Sequence, residues 1–256
     1  MPRRAHELRW GTERTQVSAA ALPRGAVRLP SLESRVPTPP PVKVPYSTLR
    51  PTLKTGDILA FSGTSPLDWM IRFEEGQPYT HVGMVLQDGG KLWFWDAPGG
   101  GTTFPDPYYP GGGAHDGARV ADLDTLLAYY MTVEVALYAR QLAAPVSAAQ
   151  QSSLLTFISV ANGSPFPGAS FKLPDELNLG AGLALSALLG IKFHATIAGY
   201  YFCAHLVADS LMHMGMMAIA PFPANAYSPA DLSTGGKKTV PMKGSSFSPV
   251  VQVSYP

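Results

Sequence analysis

The sequence predicts an α+β fold in which an antiparallel sheet packs against helices, with an extended proline-rich arm at the N-terminus. Three observations predict it. Apolar runs of strand length are bounded by turn residues, three segments open with helix-start signals and a fourth carries an apolar stripe at helical spacing, and the first fifty residues show neither pattern. With 256 residues, 46% of them apolar and 14% charged, the chain suits one domain, or a large domain with an appendage, built on a sizeable core.

Residues 1–50 end in "VPTPPPVKVPY", whose prolines favour extended polyproline geometry, and are expected to form an arm or linker to a domain spanning 51–256. They carry nine lysines and arginines against three acids, net +6, which leaves ten against fifteen, net −5, for the remainder. The folded part is therefore mildly acidic and nucleic acid is not its expected partner. The arm itself is either a poorly ordered tail or a basic strap for a protein partner.

The domain is expected to open at "LKTGDILAFSG" (53–63), where Gly56-Asp57 turns the chain into an apolar strand. Ser65 then serves as N-cap, Pro66 as first helical residue, and Leu67, Met70 and Ile71 recur at helical spacing. Next, "PYTHVGMVLQDGGKLWFWDAP" (78–98) reads as a hairpin, with two apolar runs around a glycine turn. A turn centred on Asp88-Gly89 pairs Leu86 with Lys91, Met84 with Trp93 and His81 with Asp96, so the two polar groups share a face. The glycine- and proline-rich stretch 98–117 has the turn chemistry of a long surface loop. Asp122 then caps a helix through Tyr130, "TVEVALYA" (132–139) alternates as a strand, and Ser147 with Gln150 forms a capping box for a helix carrying Leu154, Leu155 and Ile158.

"LGAGLALSALLGI" (179–191) is 13 residues long. As a helix it reaches about 20 Å, against a hydrocarbon core of about 30 Å, so it is expected to be buried or interfacial rather than spanning, with lipid or acyl contact as the alternative. The N-terminus lacks the apolar region of a secretory signal, and a cytosolic or assembly-associated location is expected.

"YYFCAHLVADSLMHMG" (200–215) reads as a helix with Cys203, Leu206, Val207, Leu211 and Met214 on one stripe and Gly215 at its C-terminal end. Cys203 is the chain's single cysteine, which excludes an internal disulfide and a cysteine-cluster metal site. A thiol in the first helical turn meets partial positive charge and free N–H groups, which favour the thiolate and can hold an oxyanion. Buried free cysteines are also commonly inert; the His81–Asp96 pair on the hairpin is what turns attention to chemistry. His205, Asp209 and His213 follow one another at i, i+4 and i+8, a spacing open to a metal, but a solvated face is the expected reading. His115-Asp116 and His194 carry no metal expectation, and no cofactor is expected.

Taken together, "LKTGDILAF", "YTHVGMVL", "WFWDAP", "YYFCAHLVADSL" and "SPADL" (228–232) resemble the circularly permuted papain-like NlpC/P60 proteins, the group that includes YiiX-like hydrolases and is related to lecithin:retinol acyltransferase. The resemblance covers roughly residues 52–232. It implies a permuted papain-like fold, with the histidine strand ahead of the cysteine helix. It also implies a cysteine hydrolase or acyltransferase with Cys203 as nucleophile, His81 as general base and Asp96 as the third, orienting group. Ala204-His205 stands where the family commonly has Ser-Glu, and Asp96 where Glu, His or Gln is more usual. The implied substrate is an amide or ester, a cell-wall peptide or a lipid acyl bond. The segment 179–191 and the aromatic group Trp93, Phe94, Trp95, Tyr200 and Tyr201 lean toward an apolar substrate, with core packing as the plainer reading. The alternative function is a papain-like component of a larger assembly such as a virion, anchored through the arm, with activity retained or vestigial.

Overall fold

The computed structural model describes residues 40–98, 103–165, 201–233 and 236–256. The expectations on residues 1–39 of the arm, on 179–191, His194 and Tyr200 lie outside them.

From Pro40 onward the chain is one compact unit, a mixed α+β arrangement with a seven-stranded sheet packed with helices. In chain order the elements are β1 (Lys43–Pro45), α1 (Tyr46–Leu49), β2 (Ile58–Gly63), α2 (Pro66–Glu75), β3 (His81–Asp88), β4 (Lys91–Asp96) and β5 (Arg119–Asp122). They continue with α3 (Leu123–Val133), β6 (Glu134–Arg140), α4 (Ala148–Ala161), α5 (Cys203–His213), α6 (Pro229–Ser233) and β7 (Val251–Ser254). Across the sheet the order is β1-β7-β6-β2-β3-β4-β5, antiparallel except for the β1–β7 pair.

The folded unit thus starts ahead of the boundary expected at residue 50. Val44 pairs with Val253, and Tyr46 and Leu49 are buried against the sheet, so the last eleven residues assigned to the arm, 40–50, belong to the domain. A ladder between the two ends of the domain leaves no local sequence signal.

Helix starts follow their local chemistry. Ser65 and Asp68 close a capping box on α2, Asp122 accepts the Thr125 N–H at 2.9 Å at the start of α3, and Ser147 and Gln150 do the same reciprocally for α4. β2 is buried along its whole length because both faces of the sheet are covered, which is why "ILAFSG" reads as a continuous apolar run. On one face Ile58, Met84, Leu86 and Trp95 pack with Leu154 and Ile158 of α4 and Leu206, Val207 and Leu211 of α5. On the other, Leu59, Phe61, Val85 and Phe94 pack with Leu126, Leu127 and Tyr130 of α3.

The hairpin corrects the expected register. Asp88 pairs with Lys91, Leu86 with Trp93 and Met84 with Trp95, so the turn is Gly89-Gly90 and every pairing moves by two residues. Both turn residues have positive φ, +58° and +76°, which two glycines adopt without strain. A two-residue shift preserves the faces. Carried one step further, it sets Asp96 across from Gly83 and makes His81 its diagonal neighbour.

The glycine-rich loop is more tied down than a surface loop. Asp106 is fully buried and accepts the N–H groups of Tyr108 and Val120, both at 2.8 Å, while Tyr108 donates its hydroxyl to Asp88 at the hairpin tip.

Candidate active site

Cys203 is the first residue of α5, which begins later than the expected 200 because Phe202 is extended, and it is 8% exposed. The stripe of Leu206, Val207, Leu211 and Met214 is buried as predicted, which turns the helix so that Cys203 faces the sheet. Its N-cap residue, Phe202, has no polar side chain to accept from the N–H groups of the first turn.

His81 opens β3, opposite Phe61 of β2, and its ring packs against Phe61 and Tyr130 with centroids 5.8 and 5.5 Å away. At the strand end it reaches groups on both sides of the sheet. Its Nε2 lies 3.1 Å from Asp96 Oδ2, and Cys203 is near enough to act on the charge of the same ring. With Nε2 occupied by Asp96, Nδ1 is the nitrogen left for sulfur. The three residues expected from the sequence are therefore brought together, from β3, β4 and α5.

Two further residues complete the cluster, and nothing in the sequence singled them out. Arg119, paired with Asp96 across β4 and β5, donates Nε–H to Asp96 Oδ1 at 3.2 Å. Tyr130 of α3 donates its hydroxyl to Asp96 Oδ2 at 2.5 Å and accepts from Arg119 Nη2 at 3.2 Å. Asp96 is 0% exposed, yet three donors surround it.

The electrostatics follow from these contacts. Burial opposes the charge on Asp96, but Arg119, His81 and Tyr130 outweigh it and hold the carboxyl below its ordinary value. Burial likewise opposes a charged His81, and Cys203 and Asp96 outweigh that, raising the imidazole to about 10. Burial and the Asp96 charge push the Tyr130 hydroxyl well above its ordinary value, so it keeps its proton as a donor. The arrangement suits a thiolate–imidazolium pair oriented by a carboxylate.

Other sequence candidates stand apart. His205, Asp209 and His213 do occupy one side of α5, but Tyr201 donates its hydroxyl to Asp209 at 3.0 Å and His213 stacks on Phe157 at 4.3 Å. Among the described residues no three His, Cys, Asp or Glu side chains are placed to hold a metal ion. His115 is hydrogen-bonded to Asp106 at 2.9 Å, within the loop. Of the aromatic group, Phe94 and Trp95 are core residues on opposite faces, the latter donating Nε1–H to Ser210 at 3.0 Å, so they do not wall a substrate site. Among the described residues no helix is long and apolar enough to cross a membrane.

No protein-family model and no curated protein matches the chain. Among solved structures it is similar to the metalloprotein yiiX from Escherichia coli O157:H7, with a TM-score of 0.43 and 15% identity over 80% of this chain and 99% of that one.

Proposed function

We propose that the chain is a thiol hydrolase or acyltransferase of the permuted papain-like NlpC/P60 type that acts on an amide or ester carbonyl. The observation that carries this reading is His81 standing between two partners, bonded through Nε2 to buried Asp96 and with Cys203 near enough to act on the charge of the same ring. The order of the parts, histidine strand before cysteine helix, supports the permuted form.

In this reading the Cys203 proton passes to His81 and the thiolate attacks the carbonyl carbon, forming a C–S bond. Backbone N–H groups at the start of α5 hold the negative oxygen. Collapse breaks the C–N or C–O bond as His81 returns the proton to the departing amine or alcohol. Water, or an acceptor alcohol or amine, then gives its proton to His81 and displaces the thiolate. Asp96 keeps the imidazole oriented and balances its charge throughout. A cell-wall peptide or a lipid acyl bond would be the substrate.

The test is the pH dependence of Cys203 alkylation by iodoacetamide in the native protein, with His81→Ala alongside. We expect rapid alkylation of Cys203 at neutral pH that slows in the variant. A thiol indifferent to His81 would overturn the reading.

A further inference from the structure

We propose that Arg119 is a positioning residue for this site: by keeping Asp96 a hydrogen-bond acceptor at both oxygens, it makes His81 Nε2 the donor and leaves Nδ1 bare toward Cys203. The inference rests on the Cys203–His81 reading above and deepens it by naming what sets the tautomer of the base.

A guanidinium has donors and no acceptor. Arg119 gives Nε–H to Asp96 Oδ1 at 3.2 Å and Nη2–H to the Tyr130 oxygen at 3.2 Å. Tyr130 has one hydroxyl proton, and it is directed at Asp96 Oδ2, 2.5 Å away. Tyr130 therefore has no second proton for His81 Nε2, although the two atoms are 3.4 Å apart. His81 Nε2, 3.1 Å from Asp96 Oδ2, faces an acceptor and carries the hydrogen.

In the neutral ring the lone pair is then on Nδ1, the nitrogen that can take the thiol proton. Removing the guanidinium changes this. A carboxylate that water does not reach takes up a proton when its countercharge is lost. The neutral acid can donate to Nε2, which places the ring hydrogen on Nδ1, facing sulfur, and the base is disabled without any ligating atom having moved. Arg119 itself touches neither the thiol nor the reacting carbonyl in this scheme; it acts through Asp96.

The test reads the tautomer directly. Histidines are labelled with 15N in Cys203→Ala protein, the His81 signals are assigned by difference with His81→Gln, and spectra are recorded at a pH where the ring is neutral. With Arg119 present we expect the Nε2–H tautomer. Arg119→Met should lose it in favour of Nδ1–H, and Arg119→Met with Asp96→Asn should restore it, since an amide oxygen accepts Nε2–H with no countercharge. Nδ1–H with Arg119 intact, Nε2–H persisting in folded Arg119→Met, or failure of the double variant to restore it would each overturn the proposal. If Arg119→Met does not fold, Arg119→Lys keeps a donor-only cation and must keep Nε2–H; loss there is equally fatal. Because the thiol is absent, these outcomes are independent of the alkylation profile that decides the catalytic reading.

Discussion

Tyr130 approaches Asp96 more closely than His81 does: its hydroxyl stands 2.5 Å from Oδ2, against 3.1 Å for the imidazole nitrogen on the same oxygen. The buried acid is thus held first by the scaffold and only then by the base. That division lets Asp96 stay in place as the charge on His81 changes, because Arg119 and Tyr130 balance it from β5 and α3.

Tyr130→Phe tests how much the scaffold's share is worth. It removes one donor from a dry carboxylate and one acceptor from a buried guanidinium, while keeping the ring that packs edge-on against Phe61 at 4.8 Å. The cost is expected to be about 1–3 kcal/mol in denaturant unfolding. A loss within error would mean that water replaces the hydroxyl.

The raised imidazole makes a signed prediction about stability. His81 moves from its ordinary 6.5 to about 10 on folding. A group raised on folding stabilises fully below its unfolded value and loses that contribution as pH rises through the folded one. The difference in unfolding free energy between the native chain and His81→Ala should therefore be largest below about pH 6.5 and shrink toward pH 10. Urea titrations at several pH values in that window would show it, and a difference that grew with pH would contradict the assigned contacts.

Gly83 tests the register. A β-carbon there would lie 2.3 and 2.5 Å from two carbons of the Phe94 ring and 2.9 Å from the Trp95 carbonyl oxygen. Phe94 is buried between Phe61 and α3, so the ring has nowhere to retreat. Gly83→Ala is expected to cost about 1–3 kcal/mol by overpacking and to separate His81 from Asp96, slowing the alkylation of Cys203 at neutral pH. An unaltered alkylation profile in a folded variant would show that the diagonal pair survives the strain.

What could be read in the sequence, and what could not, divides by range. Helix caps at Ser65, Asp122 and Ser147 are local chemistry, and so is the apolar stripe that turns Cys203 inward. The facing of His81 and Asp96 was legible because strand side chains alternate, so even a two-residue error in the turn left them on one side. "DGG" contains two valid hairpin turns, and only packing chooses between them. Arg119 was hidden because β5 is four residues long, too short for its alternation to register, and Tyr130 because on α3 it reads as one more apolar position. Neither residue's spacing predicts a contact with Asp96, and pairing between β1 and β7 joins residues over 200 positions apart.

Asp106 offers a last test, because it connects the glycine-rich loop to the site through β5. Its buried carboxylate accepts the Val120 N–H at 2.8 Å, one residue from Arg119, and the Arg119 guanidinium lies over the Phe104 ring at 5.0 Å. The loop therefore fixes the strand that presents the cation. Asp106→Ala leaves the Val120 N–H buried without its acceptor and releases Tyr108 N–H and His115, an expected loss of about 1–3 kcal/mol in unfolding experiments. If the loop also positions Arg119, the same variant should slow Cys203 alkylation at neutral pH. A loss of stability with an unchanged alkylation profile would assign the loop to scaffolding and leave Asp96 and Tyr130 as sufficient anchors for the guanidinium.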